Sequence, residues 1–517
     1  MARGRSQKDK NSVHVPTLVL VAWVLLLASW VMGNAPFAAP DEVEHFIRAV
    51  GISQGHVIGK ADPDAGIGGT VTQMSWTSQA ARIVALPSNL NPEPYTCDLG
   101  LSEPSAACQN AVDPRSPPAT LATAVGNYQP LPYLLPAAAL STADSPPAAL
   151  SLARSAQALV ALGLLSIALF ALYDAASPLV SLLGLLLAVT PMVLFCGASL
   201  GGSGMEIAGA IAFFSCLLRV GRDDPPQARW WLLTGLGGAT LGLSRSTGPA
   251  WLVVSLSVAA GWSGPRAFAH RWVSGLAPRV VTGVLVLAVV LNRIWEGLYG
   301  ARMPLDTSDL HAGLAAGAHQ WWRSLPDLIG KFGYVDVKLP LIVPLAWFGL
   351  VLVLFASACL LCARRRRLLL ALVLAVGLLG PVVFYALFIR PTGFGLQGRH
   401  VLPALVVLPL LAGEGVYVNR GGAVADRLRV PIFTIPVACA LMQLVAWYVN
   451  AKRYAVGSSG PEWFLGRAAW SPSGGWWIWL AAAALASACL GAVAFVDSGR
   501  PRMALVGRLL VSPKLTT

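Results

Sequence analysis

The chain is poor in charge. Only 12% of its 517 residues are Asp, Glu, Lys or Arg, whereas 56% are hydrophobic, and a soluble globular protein carries roughly 25% charged residues. This scarcity argues against a soluble enzyme. Charged repeats are lacking, and 51 Gly, 37 Pro and 18 Trp are spread through long apolar runs, which argues against a coiled coil and a disordered chain. The short alternating strands of a membrane β-barrel are lacking as well.

The chain does contain apolar segments of about 20 residues, the length with which a helix crosses a hydrocarbon core of roughly 30 Å. They predict an all-α polytopic membrane protein with about 12 transmembrane helices and a large first external loop. The predicted spans are 16–33, 150–173, 179–196, 205–218, 230–243, 249–262, 280–298, 339–361, 368–389, 401–418, 430–449 and 476–496. The shorter apolar segment 128–140 contains three prolines and is predicted to be re-entrant or interfacial.

The predicted organisation follows from these spans. It comprises a cytoplasmic N-terminus and first helix (1–33), an external loop with an acidic motif (34–149), helices 2–7 (150–298), an external loop (299–338), helices 8–12 (339–496) with external loops 390–400 and 450–475, and a cytoplasmic tail (497–517). The first apolar run is long for a signal peptide, and cleavage after Ala39 would detach the acidic motif that follows. We therefore expect a retained signal anchor.

The charges follow the positive-inside rule. The side predicted to be cytoplasmic holds 21 of the 37 basic residues and only seven of the 24 acidic ones, with Glu414 near the inner end of its span included. The formal net charge of +13 is therefore explained by topology in a cell membrane, with both termini cytoplasmic. Nucleic-acid binding is left without support.

Two of the eight cysteines, Cys97 and Cys108, lie well away from the predicted spans, and both are in the first external loop. An oxidising compartment would favour their pairing. The other six lie in or beside apolar helices, where cysteine usually packs as a small hydrophobic residue. Cys359 and Cys362 have CxxC spacing, but no second pair accompanies them, so we expect no metal site there.

An acidic motif follows the first span at 39–48. Asp41, His45 and Arg48 are spaced by four and three residues, which places them on one face of a helix at the membrane surface. Such a face can hold an acid or base beside a phosphate-binding arginine. The alternative is structural, because Asp41, Glu42 and Glu44 would complement the positive N-terminal dipole of that helix. The sequence leaves both interpretations open.

Further ionisable residues lie near the external ends of predicted spans; they are Arg154, Glu206, Arg245, Arg293 and Glu296. Groups at such depths tend to face a bundle interior or a water-filled cavity. The alternative is that the arginines snorkel to the interface or pair with the nearby carboxylates.

A glycine-rich external loop leads into a helix at 393–403. Its glycines permit close approach of the backbone to a ligand, Gln397 can donate hydrogen bonds, and Arg399 can bind a phosphate or carboxylate with two hydrogen bonds. His400 follows directly. A glycine-rich turn with an interfacial arginine is the simpler alternative.

Other signals are weaker. The tryptophans near the predicted interfaces are typical of aromatic belts. His311 and His319 have no defined third ligand for a metal, and the turn 201–204 lacks the lysine of a phosphate loop. No nucleophilic triad is evident.

Five motifs together resemble the DUF2142 family of predicted membrane proteins. They are PDEVEH at 40–45, YQPLPY at 128–133, TPM at 190–192, SGMEIA at 203–208 and QGRHVLP at 397–403. The resemblance extends from about residue 34 to about residue 403. That family in turn looks like a branch of the GT-C superfamily, polytopic glycosyltransferases that use a polyprenyl-phosphate sugar on the external face.

The resemblance implies roles for these residues. Asp41, with Glu42 beside it, would be the catalytic base or help to bind a divalent cation, and Arg399 would hold the donor phosphate. We further predict that Gln397 and Arg48 bind the phosphate and that the supporting residues of the cavity are His45, Glu206, Arg245 and His400. The family commonly has Tyr in place of His400 and often Asn in place of Gly202, which leaves the donor and acceptor open.

The expected function is transfer of a sugar from a polyprenyl-phosphate donor, the co-substrate, to a cell-envelope glycan or lipid acceptor. A lipid-linked donor brings its phosphate to the membrane surface, where the enzyme needs cations for the phosphate and a carboxylate for the acceptor hydroxyl. The expected partners are membrane lipids, this donor and a glycan or glycolipid acceptor. No cofactor is firmly implied. The alternatives are a lipid-linked glycan polymerase or ligase and a transporter or flippase of lipid-linked saccharides.

Overall fold

A polypeptide within hydrocarbon must satisfy its backbone hydrogen bonds internally, and helices do so within a single segment. In the computed structural model 72% of the chain is helical and 4% is in strands, so the chain is the all-α polytopic membrane protein that the sequence predicts. The structure describes residues 14–62, 64–65, 69–101, 103–112, 117–302, 309–421 and 429–496, with the side chains of 429–432 excepted. The predicted cytoplasmic basic residues of 1–13 and the predicted tail 497–517 lie outside them.

The first half of the chain forms these elements in order: α1 His14–Gly33, α2 Glu42–Ser53, β1 Lys60–Ala61, α3 Val71–Ala80, β2 Arg82–Leu86, β3 Ala119–Thr123, α4 Leu131–Leu140, α5 Pro146–Leu172, α6 Pro178–Ala188, α7 Pro191–Gly197, α8 Gly202–Arg222, α9 Ala228–Ser244 and α10 Gly248–Ser263. Short 3-10 turns lie at Ser88–Leu90, Glu93–Tyr95 and Ala106–Ala111.

The second half forms α11 Pro265–Val273, α12 Leu276–Tyr299, α13 Leu310–Ser324, β4 Lys331–Phe332, β5 Val337–Lys338, α14 Ile342–Leu361, α15 Arg364–Phe384, α16 Gly398–Leu405, α17 Val407–Val418, α18 Arg429–Val456 and α19 Gly475–Val496. Helix α15 continues as a π-helical segment, Tyr385–Ile389, and a 3-10 turn, Arg390–Thr392. A 3-10 turn also lies at Pro326–Leu328.

All twelve predicted spans are helical, but they differ in length. Among the described residues, nine helices or merged helix pairs are long and apolar enough to cross a membrane. A tenth candidate is α6 with α7, which are bent by 68° at their junction. The bend falls before Pro191, where proline removes a backbone donor and disfavours a helical residue in front of it. The other two predicted spans are α9 and α10, with only 17 and 16 residues.

The first predicted loop, 34–149, contains a small β-sheet that was not predicted from the sequence. Strands β1, β2 and β3 form an antiparallel sheet in that order, with Ile83 opposite Ala122. The proline-rich segment forms the short helix α4, in agreement with the prediction that it does not span the membrane. A disulfide joins Cys97 to Cys108, whose Cα atoms are 6.3 Å apart.

The bundle has two chemically different ends. We call the end that carries residues 34–149 the loop end, and the opposite end, where α8 ends and α15 begins, the arginine end. Helix α8 joins them and is the most buried of the candidate spans. At the arginine end the guanidinium of Arg222 pairs with Glu414 of α17. At the loop end Arg453 of α18 donates to Asp336 at 2.9 Å and to Pro104 O at 2.7 Å, which attaches the first loop to the bundle.

Candidate functional site

Two residues that are 358 positions apart in the chain meet at the loop end. Nη2 of Arg399, in the first turn of α16, donates to Oδ2 of Asp41 at 2.7 Å. The Asp41 side chain is 47% exposed, whereas that of Arg399 is 10% exposed. The carboxylate is therefore accessible to a ligand while the arginine is held beneath it. Among the described residues, the buried Nε of Arg399 has no hydrogen-bond partner.

The backbone of Asp41 helps to present this carboxylate. Asp41 precedes α2 with φ 58° and ψ 15°, a left-handed conformation, and its side chain makes no capping hydrogen bond to that helix. Aspartate and asparagine tolerate this conformation better than most residues. Because the carboxylate is not used as a helix cap, it remains available to Arg399 and to a ligand.

The charge state of Asp41 reflects two opposing effects. Desolvation by the surrounding protein raises the pKa of the carboxyl, but the charge and hydrogen bond of Arg399 outweigh it, and the pKa falls below the ordinary 3.8. Asp41 is therefore ionised at neutral pH. While it is paired with Arg399 it is a weak base.

His45 lies one turn further along α2. Its Nδ1 is 2.7 Å from the hydroxyl of Tyr133 in α4, and only 7% of the residue is exposed. The pKa of His45 falls to about 3, mainly because the imidazole is buried; the charge of Asp41 opposes the fall, and Arg399 and Arg245 add to it. The imidazole is therefore neutral over the physiological range and serves as a hydrogen-bonding group.

Acid is expected to destabilise the protein through His45. Its folded pKa of about 3 lies below the ordinary 6.5, so the unfolded chain takes up the proton first as the pH falls. This contribution to stability is present above about pH 6.5 and is lost towards about pH 3, with a slope of up to about 1.4 kcal/mol per pH unit. Unfolding midpoints in detergent at several pH values should show a shallower acid loss for His45→Asn than for wild type.

The matched control for this measurement is His56→Asn, because His56 is an exposed histidine of the same loop. Its pH profile should coincide with that of the wild type. A His45→Asn profile parallel to that of the wild type would refute the prediction.

A second arginine approaches from the turn after α9. Nη1 of Arg245 donates to Oγ of Ser203 at 3.1 Å and lies 3.8 Å from Oε2 of Glu206. Its guanidinium lies 5.9 Å from the ring centre of Tyr128. A Cβ atom at Gly202 would lie 3.1 Å from Cγ of Arg245, so a small residue gives this side chain its room. We call Asp41, His45, Tyr128, Arg245 and Arg399 the Asp41 cluster.

Glu206 supports the cluster from within α8. It is fully buried, and its Oε1 accepts hydrogen bonds from Thr247 at 2.6 Å and from Nε1 of Trp251 at 3.0 Å. This network holds Glu206 beside Arg245. The proximity of the two residues corresponds to the structural alternative, in which Arg245 pairs with a nearby carboxylate.

Glu42 is placed differently from Asp41, although it is the next residue. It is fully buried, and Arg154 of α5 donates to its Oε1 at 2.8 Å and to its Oε2 at 2.5 Å. The backbone N–H of Leu200 donates to Oε1 at 3.1 Å. Both oxygens are thus engaged in the interior, an arrangement that suits a structural ion pair and does not fit the expectation that Glu42 shares the catalytic role.

Arg48 is also engaged elsewhere. It is 3% exposed, and its two terminal nitrogens donate to the carbonyl oxygens of Gly126 and Tyr128. It thereby orients the loop that carries Tyr128. The expectation that Arg48 binds the donor phosphate does not fit this arrangement.

Gln397 and His400 flank Arg399 at the start of α16. Nδ1 of His400 accepts a hydrogen bond from the backbone N–H of Gln397 at 3.4 Å. Gly398 packs so closely on the turn at Asp327 that an added Cβ would lie 2.6 Å from its carbonyl carbon. The helix start is thus held in place, and both predicted residues lie beside the arginine.

The other ionisable residues that the sequence singled out are not members of the Asp41 cluster. Glu296 accepts a hydrogen bond from Gln129 at 2.5 Å, and Arg293 donates to Ser246 O at 2.6 Å. His311 and His319 lie on α13. Among the described residues, neither belongs to a group of three convergent metal-ligating side chains.

The sequence did not single out Tyr334 in the turn between β4 and β5. Burial raises the pKa of this tyrosine, and the charges of Asp41 and Glu44 raise it further. The charge of Asp41 acts on Tyr334, which is therefore within electrostatic range of that carboxylate, and 43% of the tyrosine is exposed. Nothing in its local sequence marks it, because its electrostatic relation to Asp41 depends on how segments distant in the chain pack together.

Comparison with known proteins agrees with the fold. Residues 24–408 match the model of the family described as "Predicted membrane protein (DUF2142)". The match covers most of the chain and includes the whole Asp41 cluster, so the protein belongs to the DUF2142 family. No curated protein matches the chain.

Proposed function

We propose that the protein is a membrane glycosyltransferase that moves a sugar from a polyprenyl-phosphate donor to a cell-envelope glycan or lipid acceptor. The observation that carries the proposal is the accessible, ionised carboxylate of Asp41 beside Arg399, with Arg245 at the same end of the bundle. A carboxylate for a hydroxyl and cations for a phosphate are the two requirements of such a transfer.

The proposed step is a single displacement. The acceptor oxygen forms a bond to the anomeric carbon, the bond from that carbon to the phosphate oxygen breaks, and its electron pair stays on the phosphate. Asp41 accepts the proton of the acceptor hydroxyl, and Arg399 stabilises the phosphate as it leaves.

The ion pair between Asp41 and Arg399 suits this order of events. In the free protein Arg399 lowers the pKa of Asp41, which makes the carboxylate a poor base. A bound donor phosphate would share the charge of Arg399, and the pKa of Asp41 would then rise. The base would thus become effective once the donor is in place.

A divalent cation at Asp41 would find few protein ligands. Glu42 is held by Arg154, and among the described residues the only group of three convergent ligating side chains is Cys97, Asp98 and Cys108. Two members of that group form a disulfide. Such a cation would take its remaining ligands from substrate and water, and the proposed step proceeds without it.

The proposed topology places the Asp41 cluster on the external face of the plasma membrane and both termini in the cytoplasm. Its support is the charge of the arginine end, where the run 364–367 is four consecutive arginines. Cytoplasmic ends of membrane helices carry such an excess of basic residues. The cluster, at the other end of the bundle, would then face a donor presented in the outer leaflet.

A transfer assay tests the proposal. Purified wild-type protein in liposomes is offered a panel of radiolabelled polyprenyl-phosphate sugars with envelope-glycan acceptors. We expect transfer from one donor class and a loss of kcat/KM of at least about 100-fold in Arg399→Ala, because one charged donor to the leaving phosphate is removed.

Arg323→Ala is the matched control, since Arg323 is an exposed arginine at the loop end, and it should keep full activity. Equal activity of Arg399→Ala and wild type would remove Arg399 from the site. Extension of a lipid-linked glycan by whole repeat units would instead indicate a polymerase or ligase. Movement of a lipid-linked saccharide across the bilayer without transfer would indicate a flippase.

A further inference from the structure

A groove with a volume of about 500 Å³ opens at the arginine end. It lies between the last turns of α5, the end of α8 and the start of α9. Ile167, Phe170 and Leu233 form its apolar part, and Arg219, Arg229 and Trp230 line its polar part. The 21 residues of α8 separate this groove from the Asp41 cluster, a distance of about 30 Å at 1.5 Å per residue. It is therefore independent of the proposed catalytic site.

Two arginines converge on one indole ring in this groove. The guanidinium carbons of Arg219 and Arg229 lie 5.2 Å and 5.0 Å from the ring centre of Trp230. Arg219 also donates to Asp223 at 3.2 Å. Within the described part of the chain Arg229 makes no ion pair. Two cations thus meet with a carboxylate on only one of them, a combination that favours an anionic ligand.

The same ring supplies a buried donor. Trp230 is 5% exposed, and its indole Nε1 has no hydrogen-bond partner among the described residues. A buried N–H without an acceptor is unfavourable, because it has given up its hydrogen bonds to water without a replacement. An acceptor oxygen from a ligand beside the two arginines would remove that cost.

The apolar part of the groove indicates that the ligand is a lipid. Phe170 is 48% exposed on the surface of α5, a helix that is long and apolar enough to span the membrane. On α9, Leu232 and Leu236 are 69% and 53% exposed. These surfaces suit acyl chains, while the arginines lie where the headgroup region of the same leaflet would be.

We propose that this groove binds an anionic phospholipid of the leaflet at the arginine end. Its phosphate would accept hydrogen bonds from Arg219, Arg229 and the indole N–H of Trp230, and its acyl chains would lie along Phe170 and Leu233. The combination of phosphate-binding cations with an adjacent apolar wall matches lipid-binding pockets between membrane helices.

The test uses the full-length protein in mild detergent with added phosphatidylglycerol, and lipid binding is measured by native mass spectrometry. Wild type should retain phosphatidylglycerol in preference to phosphatidylcholine. Arg229→Gln should weaken retention about tenfold, through loss of one charge-assisted contact. Trp230→Phe, which keeps the ring and removes the N–H, should weaken it by a smaller factor.

Arg266→Gln is the control, because Arg266 is an exposed arginine outside the groove, and it should bind as wild type does. Unchanged retention in both Arg229→Gln and Trp230→Phe would overturn the proposal. Displacement of the lipid by inorganic phosphate would show that the site binds a soluble anion. This result would also overturn the proposal. Circular dichroism of each variant checks that the bundle is intact.

Discussion

Replacement of Asp41 by asparagine is expected to lower the rate of sugar transfer by about 100- to 10,000-fold, the usual contribution of a positioned general base. The amide cannot accept the proton of the acceptor hydroxyl. Its oxygen can still accept the hydrogen bond from Nη2 of Arg399, which is 2.7 Å from Oδ2 of Asp41. Asparagine also tolerates the left-handed backbone at this position. The variant should therefore fold and bind the donor while losing catalysis.

The assay compares kcat and donor KM for wild type and Asp41→Asn in the same liposomes. Asp64→Asn is the control, because Asp64 is an exposed aspartate of the same loop, and it should leave both constants unchanged. A fall in kcat with little change in donor KM is the expected signature. If Asp41→Asn transferred sugar as fast as Asp64→Asn, the base would have to be another group.

Removal of the neighbouring carboxylate should have a different effect. Glu42→Ala is expected to destabilise the protein by about 3–5 kcal/mol, the usual cost of leaving one partner of a buried ion pair uncompensated. Arg154, 2% exposed, would lose both contacts to Glu42 and keep only its bonds to backbone carbonyls such as Asn34 O at 2.9 Å. The measurement is the midpoint of unfolding in a detergent titration.

Two further variants make this result specific. Glu93→Ala removes an exposed glutamate of the same loop and should change stability little. The double variant Glu42→Leu with Arg154→Met removes both charges and should regain part of the loss, since an apolar pair avoids the buried charge. A Glu42→Ala variant as stable as Glu93→Ala would contradict the structural role.

The adjacent residues Asp41 and Glu42 show how much of the candidate site can be predicted from local sequence. Both are acidic and both follow the first span. From the sequence, the two were predicted to share the catalytic role. The structure separates them, because the left-handed backbone at Asp41 leaves its carboxylate accessible while Glu42 lies within α2 and faces the interior. Glu42 is matched by Arg154, which is 112 residues later. No local pattern specifies such a distant partner.

The loop-end contacts of Arg399 and Arg48 illustrate the same limit. Both were predicted to bind phosphate from their charge and position. Arg399 is held beside an accessible carboxylate, whereas both terminal nitrogens of Arg48 donate to backbone carbonyl groups. Residue type is identical in the two cases, and only the surrounding backbone decides which guanidinium can serve a ligand.

By itself the sequence determined the class of fold. The length of the apolar runs and their composition require membrane-spanning helices, because the hydrophobic effect and the need to satisfy backbone hydrogen bonds act on any such segment regardless of its neighbours. The distribution of basic residues predicted which helix ends lie on the same side of the membrane. The tertiary structure alone decided which ionisable groups meet, as with Asp41 and Arg399. Those contacts depend on packing between segments hundreds of residues apart, and burial at that point decides whether a charge is neutralised within the core or left accessible to a ligand.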